Sequence, residues 1–275
     1  MKIGTGLAAA LLTVTAACVS QGSSTSAKAG ALVIVGGGGT TAPIVARALE
    51  LARGPETIVV VFPQASESKE RGVDSAQMWR EAGAREALVV EFTDPAWARA
   101  QIERADLIWF GGGDQSVLMK DLAAAGFVEL VRARHDAGAV CGGTSAGAAV
   151  MTAVMITGEG GENLLTSITP GSTATALGLG LLPGAIVDQH FVKRQRANRL
   201  ISAVLDHPEL VGFGIDERTA LIVHDGRGEV LGEGPVLVVD ARRAGVEPKI
   251  DGLPSAAQGM TLHVLRSGST YDFRR

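Results

Sequence analysis

The chain is poor in cysteine, in aromatic residues and in charge. Of its 275 residues, two are cysteines, 4% are aromatic and 20% are charged. Two cysteines cannot supply the disulfide framework that holds small secreted domains together. The 25 basic and 29 acidic side chains give a formal net charge of −4, so the basic excess that attracts nucleic acid is missing. These shortages argue against a disulfide-stapled protein and against a nucleic-acid-binding protein.

Hydrophobic residues and glycine are abundant instead. Hydrophobic residues make up 46% of the sequence, and 36 residues are glycine. Because aromatic residues are scarce, the core has to be built mainly from Ala, Val, Leu and Ile, and the many glycines predict tight backbone turns. The length fits one large α/β domain better than two small ones.

The first residues have the pattern of an export signal. Lys2 precedes an apolar run at residues 3–17 that is too short to span a bilayer comfortably. Small residues then precede Cys18, as at a bacterial lipoprotein processing site, and a small, polar stretch follows. We predict a signal peptide at 1–17, a flexible tether at 18–30 and a single folded domain at 31–275. The protein is expected to be exported, either secreted or periplasmic after plain cleavage, or held in the cell envelope by a lipid on Cys18.

Apolar runs and helix-period segments alternate along the first half of the mature chain. Buried strands are predicted at 31–35, 57–62, 87–92, 106–110 and 139–142. Helices are predicted between them at 43–52, 68–82, 95–104, 115–124 and 127–137. This alternation predicts an α/β fold with a largely parallel, doubly wound sheet. Further on, strands at 185–189 and 211–215 flank a helix at 194–205, and short glycine-bounded strands after residue 219 predict C-terminal β-hairpins.

Residues 143–147 form the pattern G-x-S-x-G around Ser145. The pattern follows a predicted strand and precedes a small-residue segment, 148–155, that is predicted to be helical. A strand-to-helix elbow of this kind exposes the serine hydroxyl at a helix N-terminus, and the amide of Ala146 can then stabilise an oxyanion. Ser145 is therefore a candidate nucleophile; a glycine-rich turn with an incidental serine is the alternative.

A serine nucleophile needs a histidine base and an acid that orients the base. Four of the five histidines have local explanations in helix ends, turns or a late strand: His135, His207, His224 and His263. His190 differs because it directly follows the strand at 185–189, although a buried core histidine is the alternative. For the acid, Asp216 and Glu217 both follow the strand at 211–215; we favour Glu217, but spacing alone does not choose between them. The order Ser, His, acid differs from that of α/β-hydrolases.

Four separate segments give the chain a family resemblance. GGTSAGAAVM, DQHFVKRQRANRL and GFGIDERTAL, with FGGGDQ upstream, resemble cyanophycinase and its relatives, serine peptidases of the class I glutamine-amidotransferase-like fold. The resemblance runs from about residue 31 to 240 and implies a flavodoxin-like three-layer sandwich. Carried over by motif, it implies that Ser145 is the nucleophile, His190 the general base and Glu217 the residue that orients it. Their separations of 45 and 27 residues are compatible with adjacent units of one sheet.

The resemblance also implies a substrate. Members of this family act on β-aspartyl peptides, notably on cyanophycin, a polyaspartate backbone with arginine side branches, from which they release β-Asp-Arg dipeptides. We expect a serine exopeptidase that works through an acyl-enzyme. An aspartyl or isoaspartyl dipeptidase of broader specificity, or a catalytically silent binding protein at the cell surface, are the alternatives. Relatives are often dimers, so the resemblance implies a homodimer.

Further pocket residues are implied by the same motifs. A substrate carboxylate needs cations, and Arg194, Arg196 and Arg199 are candidates because guanidinium groups suit bidentate carboxylate binding. A solvated basic helix face is the alternative for each of them. Gln115, Asp188 and Gln189 match substrate-pocket positions of the family, and Gly113 is the expected second oxyanion donor.

No cofactor or metal is expected. Gly37, Gly39 and Ala42 fit the dinucleotide pattern G-x-G-x-x-A, but no acidic residue follows the second strand to hold a ribose. No His/Cys/Asp cluster has metal-ligand spacing. Cys141 lies in an apolar run, which favours a buried thiol over a nucleophile.

Overall fold

The computed structural model describes residues 1, 29–68, 70–158 and 167–273. The predicted signal peptide and most of the predicted tether, including Cys18, lie outside the described residues. Within the described part, no helix is both long enough and apolar enough to cross a lipid bilayer.

The main sheet has eight strands, and its central part is parallel, as predicted. Strands β1 (Leu32–Val35), β2 (Ile58–Phe62), β3 (Glu86–Val89), β4 (Leu107–Phe110) and β5 (Val140–Thr144) run in the order β1-β5-β4-β2-β3. Three antiparallel strands extend the sheet beyond β1: β10 (Thr219–His224), β11 (Arg227–Gly232) and β16 (Thr270–Asp272). The parallel strands bring their carboxyl ends to one edge, where ligands bind in sheets of this kind.

Helices cover both faces of the parallel strands. They are α1 (Ala42–Leu51), α2 (Glu70–Glu81), α3 (Pro95–Arg104), α4 (Gln115–Ala124) and α5 (Val128–Asp136). Alternate residues of β1 enter two separate cores, with Ile34 in one and Val33 in the other. Burial on both faces explains why these strands read as continuous apolar runs in the sequence. The predicted doubly wound α/β fold is confirmed.

A second sheet of four strands lies beside the first. It contains β8 (Ala185–Gln189), β9 (Val211–Ile215), β12 (Val236–Asp240) and β15 (Thr261–Leu265), in the order β15-β12-β9-β8. Helix α7 (Ala197–Asp206) packs on it through Leu200, Ala203 and Val204. The strands before His190 and Glu217 therefore lie in a different sheet from the serine strand, although their sequence separations were compatible with one sheet. The edge of β1 is taken by β10, while β9 pairs with β8 and β12.

Short elements complete the described part. After the serine, α6 (Ala146–Ala149) is one turn long, and the chain then forms β6 (Val154–Ile156), which pairs with β7 (Thr175–Leu177). The predicted helix at 148–155 is wrong, because the apolar residues of its second half belong to a hairpin strand. A 3₁₀ turn (Gly54–Glu56) precedes β2, and β13 (Gly245–Val246) pairs with β14 (Ala257–Gln258).

Candidate active site

Ser145 occupies a strained turn between β5 and α6. Its backbone has φ 56° and ψ −111°, a conformation that few residues with a side chain adopt, and its amide donates to the carbonyl of Val35 at 3.0 Å. The flanking glycines are required by close backbone contacts. A Cβ on Gly143 would lie 2.5 Å from the carbonyl oxygen of Gly147, and one on Gly147 would lie 2.1 Å from that of Phe110. Both glycines of the G-x-S-x-G pattern thus make this elbow sterically feasible.

Ser145, His190 and Glu217 form one chain of hydrogen bonds. Ser145 Oγ lies 2.9 Å from His190 Nε2, and His190 Nδ1 lies 2.7 Å from Glu217 Oε1. The side chain of His190 is 9% exposed and that of Glu217 is 28% exposed. The serine comes from the main sheet, whereas the histidine and the glutamate follow strands of the second sheet. The three candidates are thus joined across the boundary between the two sheets.

The glycine run after β1 supports this chain. The amide of His190, which has φ 49°, donates to the carbonyl of Gly36 at 2.7 Å. A Cβ on Gly37 would lie 2.3 Å from Cε1 of the imidazole, and one on Gly38 would lie 2.7 Å from Cβ of Glu217. In the sequence, this run stands out only as a partial match to the dinucleotide pattern, which the missing acidic residue argues against. Its observed role is to let the backbone pass directly against the histidine and the glutamate.

Burial favours the neutral form of His190. Desolvation lowers the pKa of His190 below its ordinary value, and the positive charges of Arg194 and Arg196 act in the same direction. The hydrogen bond to Glu217 opposes this shift. The net direction leaves the imidazole unprotonated near neutral pH, as a general base requires.

The geometry separates the two adjacent acids that the sequence left open. The carboxylate of Glu217 accepts from the histidine, whereas Oδ1 of Asp216 accepts from the amides of Val192 and Lys193, at 3.1 and 3.0 Å. Asp216 therefore fixes the turn that follows His190.

Backbone amides near Ser145 can accept a developing negative charge. Among the described residues, the N–H groups of Gly112, Gly113 and Ala146 donate no hydrogen bond to another backbone group. Gly112 lies against the nucleophile, since a Cβ there would lie 3.4 Å from Cβ of Ser145. Gly113 has φ 144°, and a Cβ on it would lie 1.8 Å from the carbonyl oxygen of Ala65. Of the predicted donors, Ala146 follows the serine directly and Gly113 lines the same cleft; Gly112, which the prediction left out, lies against the serine side chain.

Ser145 and His190 open into a cleft of about 590 Å³. Its walls come from the glycine loops after β1 and β4, from the carboxyl end of β2 and from one face of α2. Among the described residues, its charged side chains are Arg71, Asp74 and Arg194. Of the three arginines proposed for the substrate carboxylate, Arg194 lines this cleft; Arg71 and Asp74 were missed because no motif marks them.

Asp188 and Arg199 are paired with each other, away from the cleft. The carboxylate of Asp188 is fully buried and accepts from Arg199 Nε at 2.7 Å and also from Nη2. Arg199 is itself 5% exposed. The expectation that both residues contact the substrate needs correction, because they form a buried ion pair with each other. The pair anchors α7 to the end of β8, directly before His190.

Three other predicted substrate contacts are also engaged within the protein. Arg196 donates to the backbone and side-chain oxygens of Gln189 at 2.7 and 2.6 Å. Burial, together with the charge of Arg199, lowers the pKa of Arg196 to about 10, so it stays cationic at neutral pH. The side chain of Gln115 is buried and donates to the carbonyl of Ile156 at 3.0 Å. Arg196 and Gln115 thereby hold backbone near the site, and none of the three side chains lines the cleft.

The described residues hold neither a candidate metal-ion site nor a reactive thiol. No group of three His, Cys, Asp or Glu side chains there could hold a metal ion. Cys141 is fully buried, which raises the pKa of its thiol to about 12 and keeps it in the unreactive protonated form.

An α/β sandwich that places a serine on a strained elbow, hydrogen-bonded to a histidine and a carboxylate, has the architecture of a serine-type hydrolase. Comparison with known proteins identifies the family. The model of peptidase family S51 matches residues 31–231, and the chain belongs to this family of serine-type peptidases.

The chain is similar to several cyanophycinases. The cyanophycinase of Geminocystis herdmanii (strain PCC 6308) is 36% identical over 243 residues, which cover 83% of this chain and 87% of that protein. That of Thermosynechococcus vestitus is 37% identical over 236 residues, covering 81% and 72%. Peptidase E of Haemophilus influenzae (strain PittGG) is 30% identical over 144 residues, 50% of this chain and 58% of that one.

Solved structures of peptidases share the fold. A peptidase from an acI-B1 Actinobacterium superimposes with a TM-score of 0.64 at 21% identity and covers 90% of this chain and 98% of its own. A peptidase E-like protein from Listeria monocytogenes EGD-e gives a TM-score of 0.55 at 14% identity, with 75% and 100% covered.

Proposed function

We propose that this chain is a serine exopeptidase that acts on β-aspartyl peptides, with cyanophycin as its substrate and the β-Asp-Arg dipeptide as its product. The observation that carries the proposal is the hydrogen-bonded chain from Ser145 through His190 to Glu217. The cyanophycinase relatives support the choice of substrate.

In the proposed mechanism, Ser145 Oγ attacks the scissile carbonyl carbon while His190 Nε2 takes the hydroxyl proton. Glu217 accepts from Nδ1–H of the imidazole, holding the tautomer that leaves Nε2 free and stabilising the imidazolium that forms. The amides of Ala146 and of Gly112 or Gly113 donate to the oxyanion of the tetrahedral intermediate. When the intermediate collapses, His190 returns the proton to the leaving amine and an ester on Ser145 remains.

Hydrolysis of the ester repeats these steps with water. His190 takes a proton from the water, the hydroxide attacks the ester carbonyl, and the proton passes to Oγ as the product acid leaves. The low exposure of the imidazole supports this role, because burial keeps it neutral between the two half-reactions.

The proposed activity and the broader isoaspartyl dipeptidase activity differ in the bond that is broken. A β-Asp-Arg dipeptide keeps its isopeptide bond, so its release from cyanophycin requires cleavage of the backbone amide beside it. An isoaspartyl dipeptidase would instead cleave the β-linkage itself and release free arginine. The family relation is compatible with both activities, and we propose the first.

Mass spectrometry of the products tests the choice. Incubation with cyanophycin is expected to yield β-Asp-Arg, while free arginine would indicate the broader dipeptidase. A fluorophosphonate probe is expected to label the wild-type chain but not Ser145→Ala, and Ser116→Ala is a control because Ser116 does not line the cleft. A wild-type chain that neither turns over the substrate nor reacts with the probe would indicate a silent binding protein.

We propose further that the chain is exported through its N-terminal segment, that Cys18 carries a lipid and that the domain forms a homodimer. Radiolabelled palmitate is expected to label the wild-type chain and not Cys18→Ser in the producing cell. Light scattering of the domain from residue 31 onward measures the subunit number. A secreted, unlabelled monomer would contradict the last two statements.

A further inference from the structure

One face of helix α2 forms a wall of the cleft. Arg71, Asp74, Ser75 and Met78 all line it, and their spacing of i, i+3, i+4 and i+7 places them on a single side of the helix. The residues that α2 buries, Gly72, Ala76 and Trp79, follow another stripe. The helix therefore packs through one stripe and presents the other to the space in front of Ser145.

A close contact brings this wall to the cleft. A Cβ on Gly72 would lie 2.8 Å from Cβ of Pro63 and 3.2 Å from Cγ1 of Val89. Gly72 is buried, and Pro63 itself lines the cleft at the carboxyl end of β2. Glycine allows the helix to lie directly against the strand end. The nearby side chains of Arg71 and Asp74 therefore come to the rim of the catalytic cleft.

The charges on this wall have no partner within the described part of the chain. Neither the guanidinium of Arg71 nor the carboxylate of Asp74 makes an ion pair or side-chain hydrogen bond there. Some exposed arginines elsewhere pair with acids, as Arg104 does with Glu86 and Arg218 with Glu233, but Arg227 and Arg243 do not among the described residues. What distinguishes Arg71 is that it lines the cleft beside Asp74. A cation and an anion left unpaired on one cleft wall fit a ligand segment that carries both charges.

We propose that Asp74 and Arg71 bind the arginine branch of the substrate. The carboxylate of Asp74 accepts from the branch guanidinium, and the guanidinium of Arg71 donates to the free α-carboxylate of the same branch. Both contacts are charge-assisted and have bidentate geometry available. Arg194, which lines the same cleft next to His190, then binds a free carboxylate at the end of the polymer backbone. This inference rests on the proposed function and adds the residues that select the leaving unit.

A pair of synthetic substrates tests the role of Asp74. The two are short poly-Asp backbones that carry arginine or citrulline branches; citrulline has nearly the same shape but a neutral ureido group. Asp74→Asn is expected to lower the ratio of kcat/KM for arginine over citrulline about tenfold, the effect of losing one charge-assisted contact. Glu70→Gln is the control, because Glu70 lies on the same helix but not in the cleft, and it is expected to keep the wild-type ratio.

Arg71 is tested by blocking the branch carboxylate. Arg71→Gln is expected to lower kcat/KM for the substrate with free branch carboxylates and to have a several-fold smaller effect once these are amidated. Arg85→Gln is the control, because it removes an exposed arginine that is paired with Glu56 and does not line the cleft. It is expected to keep the wild-type ratio of kcat/KM for the free-carboxylate substrate over the amidated one.

The outcomes separate this inference from the proposed function. If Asp74→Asn slows both substrates equally, or if Arg71→Gln is insensitive to amidation, the arginine-branch site is wrong although the peptidase activity stands. If the wild-type chain hydrolyses neither substrate, the proposed function is wrong as well.

Discussion

Gly37 lies directly against the imidazole of His190: a Cβ on this glycine would be 2.3 Å from Cε1. The backbone of the loop after β1 therefore packs directly against the ring of the base. Its neighbour Gly38 stands in the same relation to Glu217. The position of His190 therefore depends on the absence of a Cβ at residue 37.

The first prediction concerns this contact. Gly37→Ala is expected to displace His190 and to lower kcat by about 100-fold or more, as misplacement of a catalytic group by about 1 Å can do. Gly39→Ala is the matched control, because Gly39 has nearly the same φ, +101° against +99°, but a Cβ there meets nothing closer than 3.9 Å. Equal losses of kcat in the two variants would assign the effect to backbone strain.

The second prediction separates the adjacent acids. Glu217→Gln is expected to lower kcat by about three to four orders of magnitude, because an amide can select the wrong imidazole tautomer and cannot stabilise the imidazolium. Asp216→Asn is expected to act mainly on stability, since Asp216 accepts from two amides of the turn after His190. Steady-state kinetics and urea denaturation of both variants measure the two effects. A larger loss of kcat in Asp216→Asn would reverse the assignment.

The third prediction is the pH dependence of activity. The pKa of His190 is lowered from 6.5, mainly by burial, so the neutral base persists below that pH. We expect kcat/KM to fall with acidification only as the pH passes below 6.5. Arg194 contributes to the lowered pKa, and Arg194→Gln is therefore expected to move this acid limb to higher pH. Lys193→Gln should leave the limb in place, because Lys193 is exposed and does not contribute to this shift.

The fourth prediction concerns the buried pair behind the site. Arg199→Met leaves the carboxylate of Asp188 buried without its main partner, which is expected to lower the free energy of unfolding by ~3 kcal/mol. Arg104→Met is the control: it breaks a two-bond pair with Glu86 that is exposed and is expected to cost less than about 1 kcal/mol. Urea denaturation measures both. If Arg199→Met instead raises KM without loss of stability, the earlier expectation of substrate contact would be restored.

Much of the fold could be predicted because the parallel strands are buried on both sides. β1, β2 and β4 read as apolar runs, and the helices between them carry helical periodicity, so element type and order follow from local pattern. The elbow was also predictable from local sequence, because the contacts that require Gly143 and Gly147 are made within a few residues or with the neighbouring strand. Two sheets were not predicted, since a strand's pattern does not specify its partner.

The sequence by itself determined the local chemistry of this protein: a serine on a strained elbow, a histidine and a glutamate that each follow a buried strand, and glycines where the backbone has no room for a Cβ. Only the tertiary structure decided which groups meet. It joined His190 to Ser145 across two sheets, paired Asp188 with Arg199 away from the cleft, and set Arg71 and Asp74 on the cleft wall. The physical reason is range: backbone strain and periodicity act over a few residues, whereas pairing of charges and strands depends on how distant segments pack.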